Sequence, residues 1–198
     1  PTRRSSDLLC QSVQVCVPHL LEGLGMPEEG ALQWKIAGIN HQAWLLEITR
    51  NGEDLYPEIK RRARERTEKH NDMVRYEIMR RLGYYVTESS EHSAEYTPWF
   101  IKSRYPELIE RFNIPLDEYP RRCVRQIAEW RERRDELTEN AGLTHRRSSE
   151  YASYIMEAME TGNPVKIGGN VLNEGLIDNL PRNAVVEVPC LVDRSGVT

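Results

Sequence analysis

Between Ala31 and Thr49 the apolar positions recur at every second residue. Trp34, Ile36 and Gly38 set the pattern, and Trp44, Leu46 and Ile48 carry it on. A period of two belongs to a strand, because a helix would scatter such residues around its axis. The pattern is interrupted once, by the adjacent amide and imidazole of Asn40 and His41. The segment therefore reads as two strands, or one bent strand, meeting at that pair. Asn51-Gly52 follows as a turn.

Helical patterns surround this segment. Gln11 to Leu24 reads as a helix, with Pro18 as a kink or a late start. Tyr56 to Leu82 reads as helix in two pieces, broken near Asn71 and stopped by Gly83. Glu58–Arg62, Glu65–Lys69 and Glu77–Arg81 are i,i+4 pairs of favourable order. Tyr84 to Phe100 is polar, aromatic and irregular. Leu116, Tyr119, Cys123, Ile127, Trp130 and Leu137 form a helical stripe. Ser148 or Ser149 caps a further helix, with Tyr151, Tyr154, Ile155, Ala158 and Met159 inward and Gly162 at its end. Two strands close the chain, "VKIGGNV" and "AVVEVPCLV". In the second, Val186, Val188, Cys190 and Val192 share one face and Glu187 takes the other, while Pro189 suggests an edge or a bulge. Helices dominate, so the expected class is α+β.

The 198 residues are 39% hydrophobic, enough for one domain with a real core. No apolar run approaches the ~20 residues of a membrane helix, so no membrane partner is expected. Twenty-seven basic and 31 acidic side chains leave a net charge of -4, which disfavours nucleic acid. The Arg-rich runs "KRRARER" and "RRCVRQIAEWRERR" contain glutamates and read as solvated helix faces. Cys10, Cys16, Cys123 and Cys190 show no paired spacing and read as reduced thiols of a cytoplasmic protein. Residues 1–8, "PTRRSSDL", resemble a sequencing-adapter reading frame and are expected to be an artefact, leaving 9–198 as the folded part.

Three places could carry chemistry. A lone His on a strand is usually a core or surface histidine, but His41 has Asn40 beside it. Cys10 opens a helical segment whose amide-rich N-terminus favours a thiolate. Thiolate and imidazole together suit a divalent transition metal. The stretch Thr87 to Phe100 gathers Glu88, Glu91, His92, Glu95 and Tyr96 among aromatics. It reads equally as a polar surface loop or as a sugar-binding, proton-transferring one. The segment "KIGGNVLNEGLIDNLP" lacks the Lys-Ser/Thr of a phosphate loop and reads as a tight turn that lets backbone approach something closely.

The strings "LCQSVQ", "AGINHQAW", "VRYEIMRRLGYYVTESSEHSAEYTPWFIK", "IPLDEYPRRC", "SSEYASYIMEA" and "GGNVLNEGLIDNLPRNAVVEVPCLVD" resemble the family 4 glycoside hydrolases, above all their melibiase-type α-galactosidases. The resemblance covers residues 9–198. It implies the C-terminal half of a lactate/malate-dehydrogenase-like glycosidase, mostly helices with a small mixed or antiparallel sheet. No Gly-rich dinucleotide fingerprint is present, so most of an NAD-binding Rossmann half is expected to be missing and the fragment alone to be inactive.

The resemblance implies NAD and Mn²⁺ as cofactors and redox elimination and addition as the chemistry, an exception to two-carboxylate glycosidases. It implies Cys10 and His41 as metal ligands, Asn40 as a substrate contact and Tyr96 as the base at sugar C2. Glu91, His92 and Arg122 follow as further substrate contacts. A small oligosaccharide or α-galactoside substrate and a homo-oligomer are expected. Another α-glycoside (glucoside, glucuronide or galacturonide) or metal-dependent sugar binding without catalysis stands as the alternative. One position departs from the pattern. The residue after the metal Cys, tied to protonating the leaving group, is usually His or Asp and here is Gln11. An amide is no general acid near neutral pH.

Overall fold

The computed structural model describes residues 12–27, 29–139, 147 and 151–198. The alternating segment is a hairpin. β1 (Leu32–Ile39) and β2 (Gln42–Arg50) pair antiparallel with Ile39 opposite Gln42, so Asn40 and His41 are the turn. The alternation slips once. Trp34 lies opposite Ile48 but Ile36 opposite Leu45, so Leu46 is a bulge residue. Leu45 and Ile48 therefore face the same core and Leu46 does not, which corrects the expected Trp44–Leu46–Ile48 face. Asn51 and Gly52 both take positive φ (51° and 86°) and turn the chain into β3 (Glu53–Asp54).

The helical pieces are α1 (Ser12–Gly23), with Pro18 inside it, α2 (Tyr56–Glu65) and α3 (Met73–Leu82). Gly83 ends α3 in the left-handed region, φ 89°. Glu58–Arg62 and Glu77–Arg81 pair as expected. Glu65 does not reach Lys69, because α2 ends at Glu65; it pairs with Arg61, and Lys69 turns to Glu110. The expected irregular stretch is ordered: β4 (Tyr85–Val86) lies on β2 and α4 (Ser90–Tyr96) follows. Two residues have too little propensity to make a strand; pairing with Trp44 and Leu45 makes it.

The remaining elements are α5 (Glu107–Arg111), α6 (Glu118–Glu139), α7 (Ala152–Thr161), β5 (Val165–Leu172), β6 (Val185–Asp193) and β7 (Gly196–Val197). The strands form one antiparallel sheet ordered β3-β2-β1-β6-β5, with β4 beside β2 and β7 beside β6. The α+β class is as expected. Pro189 lies on an inner strand, not an edge. Among the described residues β1 meets β6 at the Gly38–Glu187 pair alone, so the proline sits past that ladder.

Three apolar clusters hold these layers. α1 packs Val17, Leu20 and Leu21 over Ile36, Leu45 and Ile48 of the hairpin, with Tyr56 and Ile59 of α2 beside them. α7 packs Tyr151 and Ala158 on Val186, Val188, Cys190 and Val192. Val74 and Ile78 of α3 meet Val86, Ala94 and Phe100. The expected inward set of α7 is too wide: Tyr154 and Met159 are 37% and 47% exposed. The Ser148 and Ser149 caps lie outside the described residues. The α6 stripe faces solvent, with Tyr119, Ile127, Trp130 and Leu137 all exposed. The glycine-rich segment is indeed a close approach, to a neighbouring strand: a Cβ on Gly169 would lie 2.8 Å from Cys190 Sγ. The loop after it folds around Asn173, whose Nδ2 donates to the Ile177, Leu180 and Pro181 carbonyls.

Candidate metal and sugar site

Gly38 decides where the hairpin turns. A Cβ there would lie 2.5 Å from Ala43 Cα and 2.7 Å from Gln42 O, and its φ is 156°. No other residue tolerates that approach. The strands close tightly, and the next residues must turn. His41 takes φ 62°, a left-handed conformation rare outside glycine and a few polar residues. The interruption seen in the sequence is thus a turn that fixes an imidazole at its tip.

The extension of β4 brings acids to that tip. Thr87 N–H donates to Ala43 O at 3.0 Å, continuing the β2–β4 ladder by one residue. Glu88 comes next, and its Oε2 lies against His41 Nδ1. Glu88 Oε1 accepts from Ser89 N–H at 2.7 Å, and its side chain is only 12% exposed. Ser89 then caps α4, its Oγ accepting from His92 N–H at 3.2 Å.

α4 carries the rest of the expected set. His92 Nδ1 lies 2.8 Å from Glu95 Oε2, and the His92 and Tyr96 rings stack with centroids 5.5 Å apart. Glu91 Oε2 lies 3.7 Å from a guanidinium nitrogen of Arg122 on α6. Donor atoms of Glu91, His92 and Glu95 lie within 4.8 Å of one another. Tyr96 ends the helix and is 52% exposed. Glu91, His92, Tyr96 and Arg122 are thus one cluster, while Asn40 and His41 form the hairpin tip. Glu88 and Ser89 join the two. Cys10 and Gln11 lie outside the described residues and immediately precede α1.

α4 is anchored from beneath. Asp72, before α3, receives Arg75 Nε, the Tyr85 hydroxyl, and Ser90 Oγ at 3.1 Å. Arg75 N–H donates to Ser90 Oγ at 3.2 Å, and its guanidinium stacks 4.6 Å above the Tyr85 ring. Burial raises the Tyr85 phenol well above its ordinary range, which the Arg75 charge only partly offsets. Burial also pushes the Cys16 thiol up to about 12, so it is no thiolate ligand at neutral pH.

Sequence reasoning named no site role for Thr87, Asn170 or Glu187 and no partner for Glu88. Strand register places Thr87, Ala43, Gly38, Glu187 and Asn170 in one row on one sheet face. Glu187 sits on the face opposite the valines, as expected, but at 0% exposure it is buried. Glu88 was legible as an acid in the right stretch and not as the partner of His41. Two buried oxygens, Asn40 Oδ1 and Thr87 Oγ1, have no hydrogen-bond partner among the described residues. Such an atom costs about 1–3 kcal/mol. A ligand that donates hydrogen bonds would recover it.

Residues 36–198 match the family 4 glycosyl hydrolase C-terminal domain. An α-galactosidase of Bacillus subtilis is 62% identical over 191 residues, 96% of this chain and 44% of its own length. An α-galactosidase of Rhizobium meliloti is 34% identical over 200 residues, 96% of this chain and 40% of its own. The Bacillus subtilis protein lplD, assigned as a glucosidase, superposes with TM-score 0.75 at 19% identity, over 96% of this chain and 48% of that one. A 6-phospho-α-glucosidase from gut microorganisms, solved in complex with NAD and Mn²⁺, gives 0.65 at 22% identity, over 96% and 46%. The two structures share the fold. This chain spans less than half the length of all four relatives. It belongs to the family 4 glycosyl hydrolases, with residues 36–198 as the C-terminal domain of that family.

Proposed function

We propose that this chain is the metal- and sugar-binding part of an α-galactosidase that works by NAD- and Mn²⁺-dependent oxidation and elimination. The observation that carries the reading is the 62% identity to the Bacillus subtilis α-galactosidase across 96% of the chain. The donor set of the hairpin tip fits a divalent ion. His41 is an imidazole at the tip with Glu88 against its Nδ1, Asn40 Oδ1 is buried without a hydrogen-bond partner among the described residues, and Cys10 is the expected thiolate.

When bound, NAD would supply a hydride acceptor and Mn²⁺ a Lewis acid. His41 and Cys10 would hold the ion. Asn40 hydrogen-bonds a sugar hydroxyl at the turn. Glu91 and His92, braced by Arg122 and Glu95, receive further hydroxyls. Tyr96, on the open end of α4, takes the C2 proton once C3 is a carbonyl. An ordinary phenol, with a pKa near ~10, needs a nearby cation for that role. Gln11 leaves the departing oxygen without a general acid.

The test is hydrolysis of a nitrophenyl α-galactoside by the complete polypeptide, with and without NAD⁺, Mn²⁺ and a chelator. The reading expects activity that needs both cofactors. Cofactor-independent hydrolysis would overturn it. A panel of nitrophenyl glycosides separates galactoside from glucoside and uronide specificity. Gln11→His is expected to raise turnover on natural galactosides more than on nitrophenyl ones, because alkyl leaving groups need more protonation. Equal gains would sink the acid role of that position.

A further inference from the structure

We propose that a second copy of this chain docks on α6, the two helices antiparallel about a two-fold axis between Ala128 and Glu129, and that this packing steadies Arg122 beside Glu91.

α6 runs for 22 residues and buries none of them among the described residues. It nonetheless carries an apolar seam. Pro120, Cys123, Ile127, Trp130, Arg134 and Leu137 recur at alternating steps of three and four, the spacing of a contact between two helices. Ile127, Trp130 and Leu137 are 57%, 61% and 44% exposed, and Tyr119 beside them is 74% exposed. Counted on two helices, such side chains offer on the order of 1,000 Å², the lower bound for a specific interface.

Charge names the occupant and its direction. Residues 118–127 carry Arg121, Arg122 and Arg125 against Glu118, a net +2. Residues 128–139 carry five acids against three arginines, a net -2. The helix therefore complements a reversed copy of itself and opposes a parallel one. One register serves both the seam and the charges. With the axis between Ala128 and Glu129, Ile127 meets Trp130 of the second copy, twice, at the centre. Cys123 then faces Arg134, and Pro120 faces Leu137. Arg121, Arg122 and Arg125 come level with Glu136, Asp135 and Glu132. Glu118 comes level with Glu139, and Arg121 and Arg125, 3.7 and 3.3 Å from Glu118, offset that repulsion. The charge within the seam, Arg134, is held by Asp135 of its own chain at 2.6 Å, which leaves its stem to cover Cys123.

The candidate site depends on the same helix. Arg122 reaches Glu91 at 3.7 Å from a helix that its own chain does not bury. A paired α6 gives that guanidinium a fixed base. The docking itself does not depend on the glycosidase reading.

Sedimentation velocity of the 198-residue chain tests this. An interface of this size predicts dimers at roughly micromolar concentration. Trp130→Ala is expected to weaken association by about 30-fold or more, while dilute chains, whose copies are apart, keep their own stability. Arg121→Glu with Arg125→Glu, and Glu132→Arg with Glu136→Arg, should each lose self-association, and mixing the two variants should restore it. Mild oxidation reads the direction. In Arg134→Cys the new thiol should bond to Cys123 of the second copy; its own Cys123 is 11 residues away, about 16 Å along the helix. The α6 amides should exchange more slowly as concentration rises. A chain that stays monomeric up to about 100 μM, far above micromolar, overturns the proposal. So does a Cys123–Cys123 bond between copies, which would mean parallel helices. A dimer that forms without slowing α6 exchange uses another face and overturns it too.

Discussion

α4 and α6 both contribute to the candidate site, and they are held in opposite ways. α4 is seven residues long, too short to persist alone, yet it buries Ser90, Ser93 and Ala94. Its N-terminus is capped by Ser89, and Ser90 ties it to the Asp72–Arg75–Tyr85 cluster. α6 is 22 residues long and buries none. Its local ties are exposed ion pairs such as Arg121–Glu118 and Arg125–Glu118, worth about 0–1 kcal/mol each. The short helix carries four of the acid, imidazole and phenol groups of the site; the long one lends Arg122. Placement of side chains comes from buried polar ties beneath a helix, not from its length.

The sharpest break in that comparison is Asp72→Ala. It leaves the Arg75 guanidinium buried with its carboxylate gone, which is expected to cost about 3–5 kcal/mol. Urea unfolding reads the loss. Hydrogen exchange should show α4 amides opening while α6 amides keep their rates. Unchanged α4 protection would mean that the cluster does not hold it.

A pH effect comes next. Burial raises Cys16 from 9.0 to about 12, so the folded state holds this proton more tightly than the unfolded chain. That stability is complete below about pH 9 and is lost as pH rises toward 12, at roughly 1.4 kcal/mol per pH unit. Cys16→Val is expected to flatten the alkaline arm of a stability–pH curve by that slope. Iodoacetamide at pH 8 gives the matching contrast: Cys123 on α6, partly exposed, should label in the native state and Cys16 should not. An equal labelling rate would contradict the burial of Cys16 in the core that α1 shares with the hairpin.

Ser89→Ala removes the cap of α4 and is expected to cost about 1 kcal/mol, read as a lower urea midpoint. Trp130→Ala, on the solvent face of α6, should change the stability of this chain by no more than about 0.5 kcal/mol. A larger loss would show that α6 is held by something other than its surface pairs.

Much of this was legible before any coordinates. The hairpin came from alternation, and its turn from the Asn40–His41 pair. Asn51-Gly52, Gly83 and Gly162 marked turns and helix ends because each needs a left-handed φ that few residues accept. His41, Glu91, His92, Tyr96 and Arg122 are nameable as site candidates by residue type and resemblance; the fold places His41 at the hairpin tip, Glu91, His92 and Tyr96 on α4, and Arg122 on α6 beside Glu91. Cys10 and Gln11 remain expectations.

What the chain alone determined is what depends on near neighbours: turn chemistry, helix stops and the period of the hairpin. Tertiary structure decided the rest, because partners far apart in sequence set it. The Leu46 bulge arises from the register against β1. The two-residue β4 exists because β2 offers it a ladder. Glu187 is buried because β1 and β5 flank it, and the α6 stripe is exposed because no described element covers it. Glu88 meets His41 across 47 positions of chain only after the hairpin and β4 have paired, and no local pattern in either segment names the other.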